Sequence, residues 1–152
     1  MIIRPWKVSD SPQIVELVKT ILKQEFPQDQ KAYPMEDLEN ISKSYGGAED
    51  SFLVADEAGR IIGTCGVKAD GKQTAILRRL FVRSEFRGKG VGRGLLKEAL
   101  VFCRRKQFEE VVIRTSAAME KAIGLCRQAG FEQDGDWSLG GATLVRYRLK
   151  LS

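Results

Sequence analysis

The chain has 152 residues, 43% of them hydrophobic and 30% charged, and its 25 Lys and Arg against 20 Asp and Glu give a formal net charge of +5. That length can bury a core without staples, and no run approaches the roughly 20 apolar residues that cross a bilayer. The absence of histidine removes any mechanism with a His base and nearly any zinc site, while three separated cysteines without a Cys-x-x-Cys pair point to reduced thiols.

In chain order, the opening MIIRPWKVSD lacks the apolar centre of a secretory signal, so a cytoplasmic protein is expected. Ile2 to Trp6 predicts a short edge strand, because Pro5 cannot donate to a ladder. Ser11 as N-cap and Pro12 at the first helical position open a helix in which Ile14, Val18, Ile21 and Leu22 keep helical spacing to about Phe26. A polar loop follows from Pro27 to Pro34. Leu38, Ile41 and Tyr45 predict a second helix, stopped by Gly46-Gly47. The period then changes. Ser51 to Ala55, Arg60 to Lys68 and about Gln73 to Val82 read as three antiparallel strands, separated by turns at Asp56 to Gly59 and Asp70-Gly71.

The third of these strands runs into glycines at alternate positions, Gly88, Gly90, Gly92 and Gly94, which open directly into an amphipathic helix. Without Cβ atoms a ligand can approach the backbone, and the first N–H groups of a helix have no internal partner. Those donors, the positive end of the helix dipole and the charges of Arg87, Lys89 and Arg93 suit a phosphate or diphosphate. A turn that merely reverses the chain explains neither the glycines nor the basic residues, since helix formers would be more stable there. The G-x-G-x-x-G dinucleotide pattern fails, because its last place falls on Arg93 or Leu95. A P-loop fails because Gly88-Lys89 is followed by Gly90 and Gly71-Lys72 by Gln73.

The helix after the turn is expected to bury Val91, Leu95, Ala99 and Phe102 and to expose Arg93, Lys97, Arg104 and Arg105. Glu110 to Arg114 predicts an interior strand, parallel to its predecessor across the helical crossover. A helix from about Met119 to Ala129 carries Ala122, Leu125, Cys126 and Ala129 on one face and ends at Gly130. Gly140-Gly141 then turns a closing hairpin in which Val145, Tyr147, Leu149 and Leu151 alternate with Arg146, Arg148 and Lys150.

Arg87-Gly88-Lys89-Gly90-Val91-Gly92, between a strand and a helix, resembles the acetyl-coenzyme A signature R-x-x-G-x-G of the GNAT N-acetyltransferase superfamily. Ala122 to Phe131, AIGLCRQAGF, looks like the family's A-I-x-L-Y-x-K-x-G-F segment, and the order β-α-α-β-β-β-α-β-α-β-β matches along nearly the whole chain. The resemblance implies an α/β (α+β) fold, with a mixed central sheet of about seven strands and four helices, and residues 1–152 as a single acetyltransferase domain. It implies that the strand ending at Val82 splays from the strand at Val111 to Arg114, with the pantetheine arm of the cofactor in the gap. Backbone groups of Leu80, Phe81 and Val82 would then bond that arm, and Arg87, Gly88, Lys89, Gly90, Val91, Gly92 and Arg93 would hold the diphosphate.

The function so implied is transfer of an acetyl group from acetyl-coenzyme A (acetyl-CoA) to a primary amine of a small molecule or peptide, with no metal, no membrane and no nucleic acid. Homodimers through the C-terminal strands are common in the family. Three positions depart from its pattern: Cys126 replaces tyrosine, Met119 asparagine, and Ile76 a glutamate. Cys126 either donates a proton to the leaving thiolate or simply packs, as a free thiol on a buried helix face does. The base is left open among Glu25, Glu36, Asp37, Asp134, Asp136, a water relay and an acceptor that arrives neutral. Acceptor choice falls to residues 26–34 and 134–142, where Tyr33 and Trp137 are candidate pocket residues. Two other readings are a coenzyme A-binding sensor of the same fold and, from the net charge, a nucleic-acid binder.

Overall fold

A computed structural model describes residues 1–151, apart from the side chains of Lys31 and Ala32. Its strands are β1 (Ile2–Pro5), β2 (Ser51–Glu57), β3 (Arg60–Asp70), β4 (Thr74–Val82), β5 (Glu110–Ser116), β6 (Glu132–Leu139) and β7 (Ala142–Lys150). The helices are α1 (Ser11–Glu25), α2 (Glu36–Glu39), α3 (Ile41–Ser44), α4 (Val91–Arg105) and α5 (Glu120–Gln128). The strands form one mixed sheet in the order β1-β2-β3-β4-β5-β7-β6, with β1 on the edge as expected. Every neighbouring pair is antiparallel except β4 and β5, which α4 connects as a crossover.

Where the helices cover them, both sheet faces are apolar, because each strand's alternation presents one set of side chains to each helical layer. Ile14, Leu17, Val18 and Ile21 of α1 pack with Phe52, Val54, Ile61 and Phe81 on one face. Leu95, Leu96, Ala99 and Cys103 of α4 pack with Leu77, Val111 and Ile113 on the other. Among the described residues no helix is long and apolar enough to cross a membrane.

Four local expectations change. The first helix begins at Ser11 itself, because the Asp10 carboxylate accepts the Lys7 N–H and both terminal nitrogens of Arg4, closing the preceding turn. The expected second helix is two single turns, α2 and α3. Asn40 breaks it with φ −145° and uses its side chain to accept the Lys43 N–H and start α3. Phe102 is only half-buried, and Leu96, Leu100 and Cys103 complete the core face of α4 instead. Ala129 is exposed at the end of α5.

Two features of β4 shape everything that follows. Its pairing with β5 stops at Leu77 opposite Ile113, although β4 continues to Val82 and β5 to Ser116, so the strands part. On its other edge the register steps from Thr64 opposite Phe81 to Gly66 opposite Arg78, leaving one extra residue in β4. Arg79 takes a left-handed φ of +58° at this bulge, a conformation that costs a side-chain-bearing residue about 1–2 kcal/mol. Thr64 Oγ1 donates to the Arg79 carbonyl at 2.6 Å, and the Arg79 guanidinium grips Asp37 of α2 at 2.7 and 3.2 Å and the Pro34 carbonyl.

Candidate active site

The glycines after β4 divide into two pairs with different jobs. Gly88 and Gly90 have φ of +75° and +83°, and open space surrounds the place a Cβ would take. A Cβ on Gly92 would lie 2.7 Å from Leu125 Cδ1, and one on Gly94 equally close to Ile3 Cδ1, so these two let α4 pack against α5 and β1. Among the described residues no side chain caps α4, and its ladder starts with Gly94 N–H to the Gly90 carbonyl at 3.0 Å. The N–H groups of Val91, Gly92 and Arg93 therefore have no acceptor within the helix. They are suited to an anion.

That helix end lines a cavity of about 690 Å³. All the residues expected to touch the cofactor line it except Lys89, whose ammonium lies over the Phe86 ring, 5.4 Å from its centre. Leu80, Phe81 and Val82 form the strand side, and Met119, Ala122 and Leu125 of the α5 region stand opposite. Arg83 donates its N–H to the Ile62 carbonyl at 2.8 Å, and Phe81 and Val82 stand opposite Thr64 and Gly63. By the alternation of an antiparallel pair, Phe81 then turns its backbone groups to β3 and Val82 turns its own to the opened edge.

Charge at the cavity mouth differs from the expectation. Arg87 forms a two-pronged ion pair with Glu25 at the end of α1, one arm being Nη2 to Oε2 at 2.8 Å, and its Nε donates to the Val82 carbonyl at 3.1 Å. Arg93 reaches only Gln128 among the described residues, at 3.5 Å. Glu25 also lines the cavity, so the mouth carries a carboxylate among its cations.

Cys126 lies outside the cavity, fully buried in the core beneath α5. Burial pushes its thiol up to about 12. Asp37, one of the candidate bases, is engaged by Arg79 and by the Tyr45 hydroxyl. Burial opposes its charge, yet these partners hold its carboxyl below the ordinary value. Asp134 is held by Arg146 at 2.7 Å. Trp137 is 39% exposed on the edge strand β6, away from the cavity.

Tyr33 has a larger part than its loop position suggested. Its hydroxyl accepts the Ser116 N–H at 2.6 Å, shares a hydrogen with Thr115 Oγ1 at 2.9 Å, and points to Met119 Sδ at 3.4 Å. Ser116 Oγ in turn donates to buried Asp29 at 2.8 Å. This network ties the loop after α1 to the free end of β5, across more than eighty residues of sequence, a link that no local pattern encodes. Among the described residues no group of His, Cys, Asp and Glu could hold a metal ion.

The comparisons agree with the geometry. The family model described as "Acetyltransferase (GNAT) family" matches residues 15–131. The chain is 35% identical over 107 residues to Probable N-acetyltransferase family 8 member 5 of Mus musculus, covering 67% of this chain and 47% of that protein. N-acetyltransferase 8F1 of Rattus norvegicus is 29% identical over 123 residues, 74% of this chain and 56% of that one. The chain thus spans about half the length of the curated relatives it matches. Among solved structures, a GNAT-family acetyltransferase of Staphylococcus aureus Mu50 superposes with a TM-score of 0.88 at 22% identity, over 99% of both chains. An acetyltransferase structure from Salmonella typhimurium with its cofactor acetyl-CoA gives 0.81 at 18%, over 99% of this chain and 94% of that one.

Proposed function

The chain belongs to the acetyltransferase (GNAT) family, and on that premise we propose that it is an N-acetyltransferase acting on a primary amine of a small molecule or peptide. The observation that carries the reading is the uncapped start of α4, opening on a cavity bounded by the unpaired end of β4. Acetyl-CoA, the acetyl donor of the family, supplies an activated thioester and a diphosphate when bound. The chain has a fitting place for both. Gly88 and Gly90 leave backbone exposed where a side chain would stand, and the Val91, Gly92 and Arg93 N–H groups receive the diphosphate. The Val82 amide, at the opened edge, would be the donor for the thioester carbonyl oxygen. Leu80, Phe81 and Met119 exclude water around the reacting atoms.

Proton handling is light. The acceptor must lose a proton before attack, because an alkylammonium with a pKa of about 10 has no nucleophilic lone pair. The leaving thiolate, with a thiol pKa near 8.5, departs tolerably without an acid. Cys126 is assigned to packing, in keeping with its place in the core away from the cavity. The three buried free thiols support a reducing, cytoplasmic setting.

A second reading, a coenzyme A sensor, draws on the family tyrosine being replaced by a thiol that does not reach the cavity. Thermal shift and thiol release divide the two. Micromolar acetyl-CoA raises the melting temperature under either reading. Amine-dependent thiol release above buffer hydrolysis is expected for the enzyme, and release equal to buffer for every amine would leave the sensor.

A further inference from the structure

On the α1 side of the sheet the helices pack their apolar contacts on β2, β3 and β4, and residues 27–33 reach over to β7 and the end of β5, while Arg78 and Arg114 stay exposed on that face. A row of arginines crosses it. Arg78 and Arg114 are the residues just past the last β4–β5 pair, where the strands part, and Arg114 stands in register with Arg146 of β7. Arg79 and Arg146 are held by Asp37 and Asp134, whereas exposed Arg78 and Arg114 have no ion-pair partner among the described residues. Like charges side by side across strands are destabilising, so this row is costly unless an anion completes it.

Position gives the row a purpose. Arg78, Arg79 and Arg114 line a narrow cavity of about 20 Å³ in the gap between β4 and β5. It shares Leu80, Phe81, Met119 and Ala122 with the large cavity, and is therefore the opposite mouth of the same gap. Arg79 Nη1 is buried without a hydrogen-bond partner among the described residues. Guanidinium pairs of this kind suit a carboxylate, which accepts two parallel N–H bonds. In the neighbouring row of the sheet Ser116 and Leu144 are buried, and Trp137, next to Leu144, leaves an apolar ring 39% exposed.

We infer that the acceptor is an amino carboxylate with an apolar side chain, its carboxylate held by Arg78 and Arg114 while its amine reaches through the gap toward Val82. This rests on the acetyltransferase reading and names its substrate class. The step balances: the amine nitrogen forms the bond to the acetyl carbon, the C–S bond breaks with its electron pair on sulfur, and the amine proton leaves to water or to the thiolate.

The test compares leucine and phenylalanine with leucinamide and phenylalaninamide by thiol release. Amidation lowers the amine pKa to about 8, so unaided chemistry favours the amides, and a preference for the free acids reports the subsite. Arg78→Gln and Arg114→Gln are expected to raise KM for the acids roughly ten- to a hundredfold, the loss typical of a charge-assisted bond, and to collapse the acid-over-amide preference. Their thermal shift with acetyl-CoA is expected to keep its wild-type size, which verifies folding. Amides turned over as well as acids by the wild type, or an unchanged preference in both variants, would overturn the inference. If no amine is turned over, the enzyme reading fails by itself. The subsite is then read by calorimetry of leucine and phenylalanine on coenzyme A-loaded protein, where heat lost in Arg114→Gln supports it and no heat with the wild type overturns it.

Discussion

Glu25 sets the electrostatics at the cavity mouth, because it neutralises Arg87 and presents a carboxylate where a diphosphate would enter. Glu25→Gln is expected to tighten coenzyme A binding about two- to fivefold in calorimetry at low salt, the scale of an exposed charge pair; unchanged or weaker binding would count against this site. Gly90→Val acts oppositely. A branched residue at φ +83° strains the turn and projects into the open approach, so affinity is expected to fall at least tenfold while the secondary structure seen by circular dichroism persists. Cys126→Ala leaves turnover within about twofold and lowers the melting temperature, because it empties part of a packed core without touching the cavity. A loss of turnover with unchanged stability would restore its catalytic role. The candidate anion site was legible here because its chemistry is local: glycines, cations and a helix start within a few residues. Glu25 was not, since it is brought to Arg87 by the packing of α1 and lies 62 residues away in sequence.

At the scale of elements, the bulge in β4 decides where backbone donors face. Arg78 and Arg79 form a polar pair inside an apolar strand, and Leu77 and Leu80, three apart, pack in the same core, which a regular strand of period two forbids. That parity break was present in the residues, but a strand of mostly apolar composition conceals it. The break between α2 and α3 was hidden for a similar reason, since Leu38, Ile41 and Tyr45 keep helical spacing across Asn40. Asp37 locks the bulge by pairing with buried Arg79. Asp37→Asn strands that guanidinium and is expected to cost about 3–5 kcal/mol in urea unfolding; a loss under 1 kcal/mol would show that the bulge holds itself. Because the folded Asp37 carboxyl lies below its ordinary value, its contribution is complete above the unfolded value of about 4 and lost as pH falls through the lowered folded one. The gap in stability between wild type and Asp37→Asn is therefore expected to narrow below about pH 4.

For the whole molecule, the parting of β4 and β5 makes one gap with two mouths, the larger cavity beside α4 and the narrow one among the arginines. The succession of strands along the chain and the crossover were readable from periodicity, the resemblance implied the seven-stranded mixed sheet, and the order of strands within it came from the structure. How much of each face the helices cover was not readable, because that depends on how far α1 to α3 and the segment between them reach across the sheet. Under the proposed acetyltransferase reading, in a chain with no histidine and with Glu25, Asp37 and Asp134 already paired, the acceptor's own pKa is expected to govern the rate. The kcat/KM is expected to climb about tenfold per pH unit toward the amine pKa, and a plateau near pH 7 would reveal a base in the protein. A crystal structure with bound coenzyme A tests the central claim most directly. Diphosphate oxygens about 3 Å from the N–H groups of Val91, Gly92 and Arg93, with the pantetheine arm along Val82, are predicted. A diphosphate bound elsewhere, with those N–H groups facing only water, would contradict it.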